Sequence, residues 1–255
     1  VRTNVNGAAA AGTVNIPVAG TAGFAPGNLV LIIQMYGTGA GQYEFGRVAS
    51  LSGNVNLTRG TRFAYQATGA QVIKVNEYSS VSVVAGASWG AHAWDGTTGG
   101  VLAAVVRGPF TMSAGTLSMS NQGFPGGAGN SPGVDGFQGN GSLNGPGLVS
   151  STPNGNGGGG GSPAGVNGGG GGHAANGGNG FTSGGTGGNA VGTPELAALF
   201  LGGGGGGGRG DPNSGVNGGA GGGIVLLVAA GDVTITGGGL GAGGSNGNAT
   251  ASGGS

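Results

Sequence analysis

The residues equipped for chemistry are few and scattered. The two histidines, His92 and His173, fall in compositionally different halves of the chain, so a shared metal would require the fold to unite them. Each reads as an isolated polar residue, and no metal is expected. Gly-x-Gly-x-x-Gly strings recur, but no lysine follows at the spacing of a phosphate loop and no strand–glycine–helix unit surrounds them. Calcium-binding nonapeptide repeats need a recurrent Asp, whereas residues 121–223 contain only Asp135 and Asp211. Arg209-Gly210-Asp211 spells an integrin-type tripeptide and is read as a chance match in a glycine-rich turn. No nucleophile stands beside a base, and the seven carboxylates are dispersed without an acid–base pair. The expectation is a protein without cofactors that is not an enzyme. Trp89 and Trp94, near "WDGTTGG", admit two readings: a surface contact for a ligand such as a sugar, or packing of one domain against the next. Asp95 is expected to cap the turn that follows it.

Composition narrows the setting. Seven basic residues balance seven acidic ones, so nothing draws the chain to nucleic acid or to an anionic membrane. Cysteine is absent, which excludes disulfides and thiolate metal sites. A start at Val1 rather than Met fits removal of a secretion signal as well as it fits trimming, and a secreted or cell-surface protein is the expectation. The longest apolar runs, 224–230 and 29–33, fall far short of the roughly 20 residues of a membrane helix, so no membrane span is expected.

The elements that would position any site divide into two regimes: of 73 glycines, 19 lie in residues 1–120 and 54 in residues 121–255. Residues 1–88 read as a small β domain, a barrel or sandwich of five to seven strands. Val14, Ile16 and Val18 alternate with polar neighbours, a turn at 23–28 feeds the apolar "LVLIIQMY", and Val48 and Leu51 face Val55 and Leu57 across a Ser52-Gly53-Asn54 hairpin turn. "QVIKVNEY" and "SSVSVVAG" read as a further pair. Val14, Ile16 and Val18 are candidate assembly residues: residues 1–18 are either an arm that adds to a neighbouring subunit's sheet or an ordinary first strand of their own barrel.

Residues 89–255 form the glycine-rich domain. "GVLAAVVRGPFTMSAGTLSMSNQG" at 100–123 aligns without a gap on "GIVLLVAAGDVTITGGGLGAGGSN" at 223–246, a repeat read as two hairpins bracketing the glycine tract. Their fully apolar runs, 101–106 and 224–230, are expected to pair as central strands. Ordering each tract residue costs about 1–2 kcal/mol of backbone entropy, with glycine at the upper end, and absent side chains cannot repay it by burial. Backbone bonding between side-by-side polyproline-II segments can, because this form has three residues per turn and no internal hydrogen bonds. Patches of X-Gly-Gly period (Asn176, Asn179; Ser183, Thr186, Asn189; Asn217, Ala220) agree, with every third side chain pointing out. Gly158, Gly170, Gly204 and Gly206 are expected in the bundle core. The predicted fold is all-β: a small N-terminal barrel or sandwich plus a C-terminal hairpin and polyglycine-II bundle, with essentially no helix.

The ordered motifs "GNLVLIIQMYG", "QYEFGRVASLSGNVNLT", "QVIKVNEYSSVSV", "WDGTTGG" and "NQGFPGG", with the "GGGG" block after Leu199-Phe200-Leu201 and "GGAGGGIVLLVA", resemble glycine-rich secreted and surface proteins of myxobacteria and other gliding bacteria. That resemblance implies an extracellular structural or adhesive role. The tract itself resembles the polyglycine-II bundles of phage tail-tip adhesins and springtail antifreeze proteins. The leading expectation is a self-assembling filament or matrix subunit whose partner is itself. The alternatives are a receptor-binding adhesin for cell-surface glycan or protein, and an ice-binding protein, which the mixed Asn, Ser, Thr and Ala at the X positions weakens.

Overall fold

A computed structural model describes residues 1–130, 134–162, 167–181, 184–209 and 216–247. The protein is all-β, with no helix among the described residues. The N-terminal part is one antiparallel six-stranded sheet made of β1 (Arg2–Asn4), β2 (Asn15–Ile16), β3 (Leu29–Gln34), β4 (Tyr43–Leu51), β5 (Val55–Leu57) and β6 (Ala70–Lys74). Its order is β1-β6-β3-β4-β5-β2, and it curls until its edges meet at an antiparallel bridge between Val5 and Val18. The β4–β5 hairpin forms at Gly53, whose φ of 77° suits the turn. In the central strand β3, successive side chains serve different cores: Val30 and Ile32 pack inside the barrel, while Leu31 and Ile33 pack outside it against Trp94, Phe124 and Leu201. Burial on both faces is why this strand has no polar alternation.

The remaining strands form three short parallel sheets. They are β7 (Asn76–Tyr78), β8 (Val81–Val83), β9 (Ser88–Trp89), β10 (Val101–Val106), β11 (Phe110–Met112), β12 (Thr116–Ser118), β13 (Ile224–Ala229), β14 (Val233–Ile235) and β15 (Gly239–Gly241). The sheet orders β13-β10-β7, β14-β11-β8 and β15-β12-β9 describe a three-coil solenoid, in which each coil supplies one strand to each of three sheets. The two sequence copies are therefore not hairpins. Their strands pair with each other, Val101 with Ile224, Phe110 with Val233 and Thr116 with Gly239, so the register reproduces the gapless repeat. A parallel stack satisfies every matched position at once, whereas a hairpin would pair each copy with itself. The expected pairing of "QVIKVNEY" with "SSVSVVAG" also fails: β6 stays in the barrel, and β7 and β8 lie in different sheets of the first coil. The pairing of 101–106 with the second apolar run does form, with β10 buried in the middle of its sheet and β13 at the edge.

Between the second and third coils the chain makes a glycine bundle around residues 202–208. The N–H groups of Gly202, Gly205 and Gly208 donate to Gly222, Gly219 and Val216, and the carbonyls of the same three accept from Phe124, Gly127 and Asn130. Gly204 and Gly207 donate to Asn140 and Phe137 and accept from Gly158 and Gly161, while Gly203 and Gly206 donate to Gly172 and Gly169. Five segments thus surround one, each bonded through every third residue. Strands alternate with period two; a period of three is that of polyproline II. Close approach requires glycine here, since a Cβ at Gly158, Gly204 or Gly206 would collide with the carbonyl of Gly169, Pro125 or Gly159.

Candidate assembly surface

Several of the side chains with chemical capacity hold parts of the fold together. Glu77 on β7 accepts from Arg47 on β4 at 3.0 and 3.1 Å and from Arg107, just after β10, at 2.8 Å. One carboxylate thereby ties the barrel to the first two coils, and the hydrogen bonds from Arg47 and then Arg107 hold its pKa down at about 2. Asp95 caps its turn as expected, accepting from the amides and hydroxyls of Thr97 and Thr98. Burial opposes its ionisation, but these donors outweigh the cost and hold it below the usual carboxylate range. Glu44 accepts from the amides of Arg62 and Phe63 and from the Tyr65 hydroxyl, and burial, followed by the Glu44 charge, pushes the Tyr65 phenol up. His92 and His173 are both exposed, and His173 Nε2 sits 3.2 Å from the Phe200 carbonyl. No group of three His, Cys, Asp or Glu that could hold a metal occurs among the described residues. Gly210 and Asp211 of the integrin-type tripeptide lie outside the described residues.

The two tryptophans part company. Trp94 does not face solvent: its ring lies edge-on to Tyr36 and Phe124 at 6.3 and 6.0 Å, joining barrel, coils and bundle, so it is no surface platform. Its Nε1–H is buried without a partner. Trp89, half-buried on β9, stacks on Phe110 and meets the edge of Tyr78.

The candidate assembly residues are paired within the chain. Asn15 and Ile16 face Asn56 and Val55, the Val14 carbonyl accepts from Leu57, and Val18 bridges Val5. Ile16 and Val18 are buried in the barrel core, while Val14 is exposed. Of the expected bundle residues, Gly158, Gly204 and Gly206 are buried, and Gly170 is half-buried in an outer layer, donating to Gly178 and accepting from Gly188. Asn176, Asn179, Thr186, Asn189 and Asn217 point outward at the third-residue spacing, and the side chains of Asn176 and Asn179 accept from the amides of Ala190 and Gly187.

The feature that sequence reasoning missed is the end of the solenoid. At matched register positions, Phe110, Met112 and Leu117 in the second coil are 1%, 1% and 2% exposed, whereas Val233, Ile235 and Leu240 in the third are 55%, 48% and 60% exposed. The same apolar chemistry is covered in one coil and open in the next. Two concavities flank the solenoid. A groove of about 590 Å³ runs beside the third coil, between Ile224, Val225 and Leu240 on one side and Leu196 and Phe200 on the other. At the opposite end a groove of about 320 Å³ is floored by Val81, Val83 and Trp89. A repeat signal linking the first coil to the second, Val81 to Phe110 and Val83 to Met112, was present but too degenerate to see without the register.

No protein-family model matches the chain and no curated protein matches it, so the resemblance to glycine-rich surface proteins of gliding bacteria gains no support from either comparison. Among solved structures, the tailspike protein gp49 from Pseudomonas phage LKA1 is similar at 14% identity and a TM-score of 0.27. The match covers 46% of this chain and 27% of the tailspike's own length. At that level the likeness carries no argument about fold or function. No helix among the described residues is long and apolar enough to cross a membrane.

Proposed function

We propose that this protein is a non-enzymatic structural subunit that assembles with copies of itself into an extracellular filament or matrix. The observation that carries this reading is the third coil, whose inward register positions Val233, Ile235 and Leu240 lie open to solvent while their equivalents one coil back are buried. An apolar, charge-free strand edge of this kind is a template for another chain. Two further features support it. The net charge is zero, so copies do not repel one another at a distance. Glu44, Glu77 and Asp95 are committed to internal bonds. The extracellular setting rests on the motif-level likeness to glycine-rich surface proteins.

The 590 Å³ groove favours a second reading, a receptor-binding adhesin that takes cell-surface glycan or protein. Negative-stain electron microscopy and light scattering of the purified protein separate the two. End-to-end polymers that lengthen with concentration are expected; a monomer at every concentration that binds a glycan array would replace the first reading with the second.

A further inference from the structure

Resting on the self-assembly reading, we infer that the third coil of one copy docks on the first coil of the next, so that the parallel solenoid continues head to tail through the polymer. Three side-chain ladders run through the coils in register: Val81–Phe110–Val233, Val83–Met112–Ile235, and Trp89–Leu117–Leu240. Each ladder ends at both extremities on a strand with a neighbour on one side only, because β7, β8 and β9 border their sheets at one end as β13, β14 and β15 do at the other. What covers the second coil inside the molecule is another coil. The surface that fits the third coil is therefore an open coil edge, and the first coil supplies one.

Val233, Ile235 and Leu240 are exposed at one end, and a shallow groove lined by Val81, Val83 and Trp89 lies at the other. Neither surface carries a charge in β8, β9, β14 or β15, and Glu77 in β7 is already bound by Arg47 and Arg107. The barrel offers no comparable edge, since its two border strands meet at the Val5–Val18 bridge. Contact between unlike ends is heterologous, and when it carries the coil axis straight on from copy to copy it generates an open filament rather than a ring, whereas two third coils meeting about a two-fold axis would stop at a dimer.

The cysteine-free chain allows a clean test. Ser82 and Thr234 are exposed and share a register row with Thr111 between them. Within one molecule they are two strand spacings apart, roughly 9.6 Å, which is too far for a disulfide. In the proposed polymer Thr234 of one copy adjoins Ser82 of the next at about 4.8 Å, within disulfide reach. Oxidation of the double variant Ser82→Cys/Thr234→Cys should yield a non-reducing ladder of trimers and longer species, whereas each single variant stops at dimer. If the double variant also stops at dimer while the unmodified protein polymerises, this interface is wrong and the structural reading survives. If the unmodified protein stays monomeric under light scattering, both fall. As an independent check, Leu240→Glu should retain the circular dichroism spectrum and thermal transition yet shorten polymers at least tenfold; polymers of unchanged length would overturn the docking.

Discussion

Glu77 shows how a single carboxylate can act as a brace, because its two oxygens hold guanidinium groups from β4 and from the end of β10. With its pKa depressed to about 2 from an ordinary 4.5, the unfolded chain takes up a proton before the folded one does. The stabilisation is fully present above pH 4.5 and is lost as pH falls towards 2. The melting temperature should drop through that window, and Glu77→Gln should lower it at pH 7 while flattening part of the acid dependence; Asp95, which is shifted the same way, contributes a further part at lower pH. Trp94 gives a second residue-scale expectation. Trp94→Ala should cost about 3–5 kcal/mol by opening the junction of barrel, coils and bundle. Trp94→Phe should cost far less in denaturant unfolding, because it keeps most of the ring and removes an N–H that is buried without a partner.

At the scale of elements, the glycine segments rely on backbone contact rather than side chains. Gly204→Ala would drive a methyl group into the Pro125 carbonyl, and a destabilisation of at least about 1–3 kcal/mol is expected from chemical unfolding. Gly178→Ala, where no atom lies within 4 Å of the added carbon, should stay within about 0.5 kcal/mol of the parent. A floppy linker would tolerate both changes equally. The third-residue period was legible in the sequence because outward Asn and Thr interrupt the glycines at that spacing, as Asn176, Asn179, Thr186 and Asn189 do. The β4–β5 hairpin was legible for a similar reason: Gly53 marks the turn and the flanking apolar positions fit one register. The partner of a segment was not legible, because five neighbours of Gly-rich sequence offer nearly interchangeable bonding partners.

For the whole molecule, the barrel, solenoid and bundle meet at one shared core of Leu31, Ile33, Trp94, Phe124 and Leu201. The barrel's border strands meet at the Val5–Val18 bridge while the solenoid's border strands have a neighbour on one side only, so growth along the coil axis is the expected mode of assembly, checked by the polymer images and the cross-linking ladder. The candidate assembly surface was hidden from the sequence. Val233, Ile235 and Leu240 look like ordinary inward strand residues, and only the absence of a covering coil among the described residues makes them a surface.

Local chemistry determined much from the chain alone: alternation and turn residues specify a small β domain, barrel or sandwich, glycine spacing specifies three-fold bonding, and a gapless repeat specifies two equivalent units. The first two signals are short-range, carried by side-chain period and backbone freedom, and the repeat is a likeness between stretches 123 residues apart that is readable without any contact between them. Whether the equivalent units pair with themselves as hairpins or with each other as coils was settled by tertiary structure. Both choices satisfy the same strand propensities, and only the parallel stack brings β7, β10 and β13 into one sheet and leaves an edge open at each end.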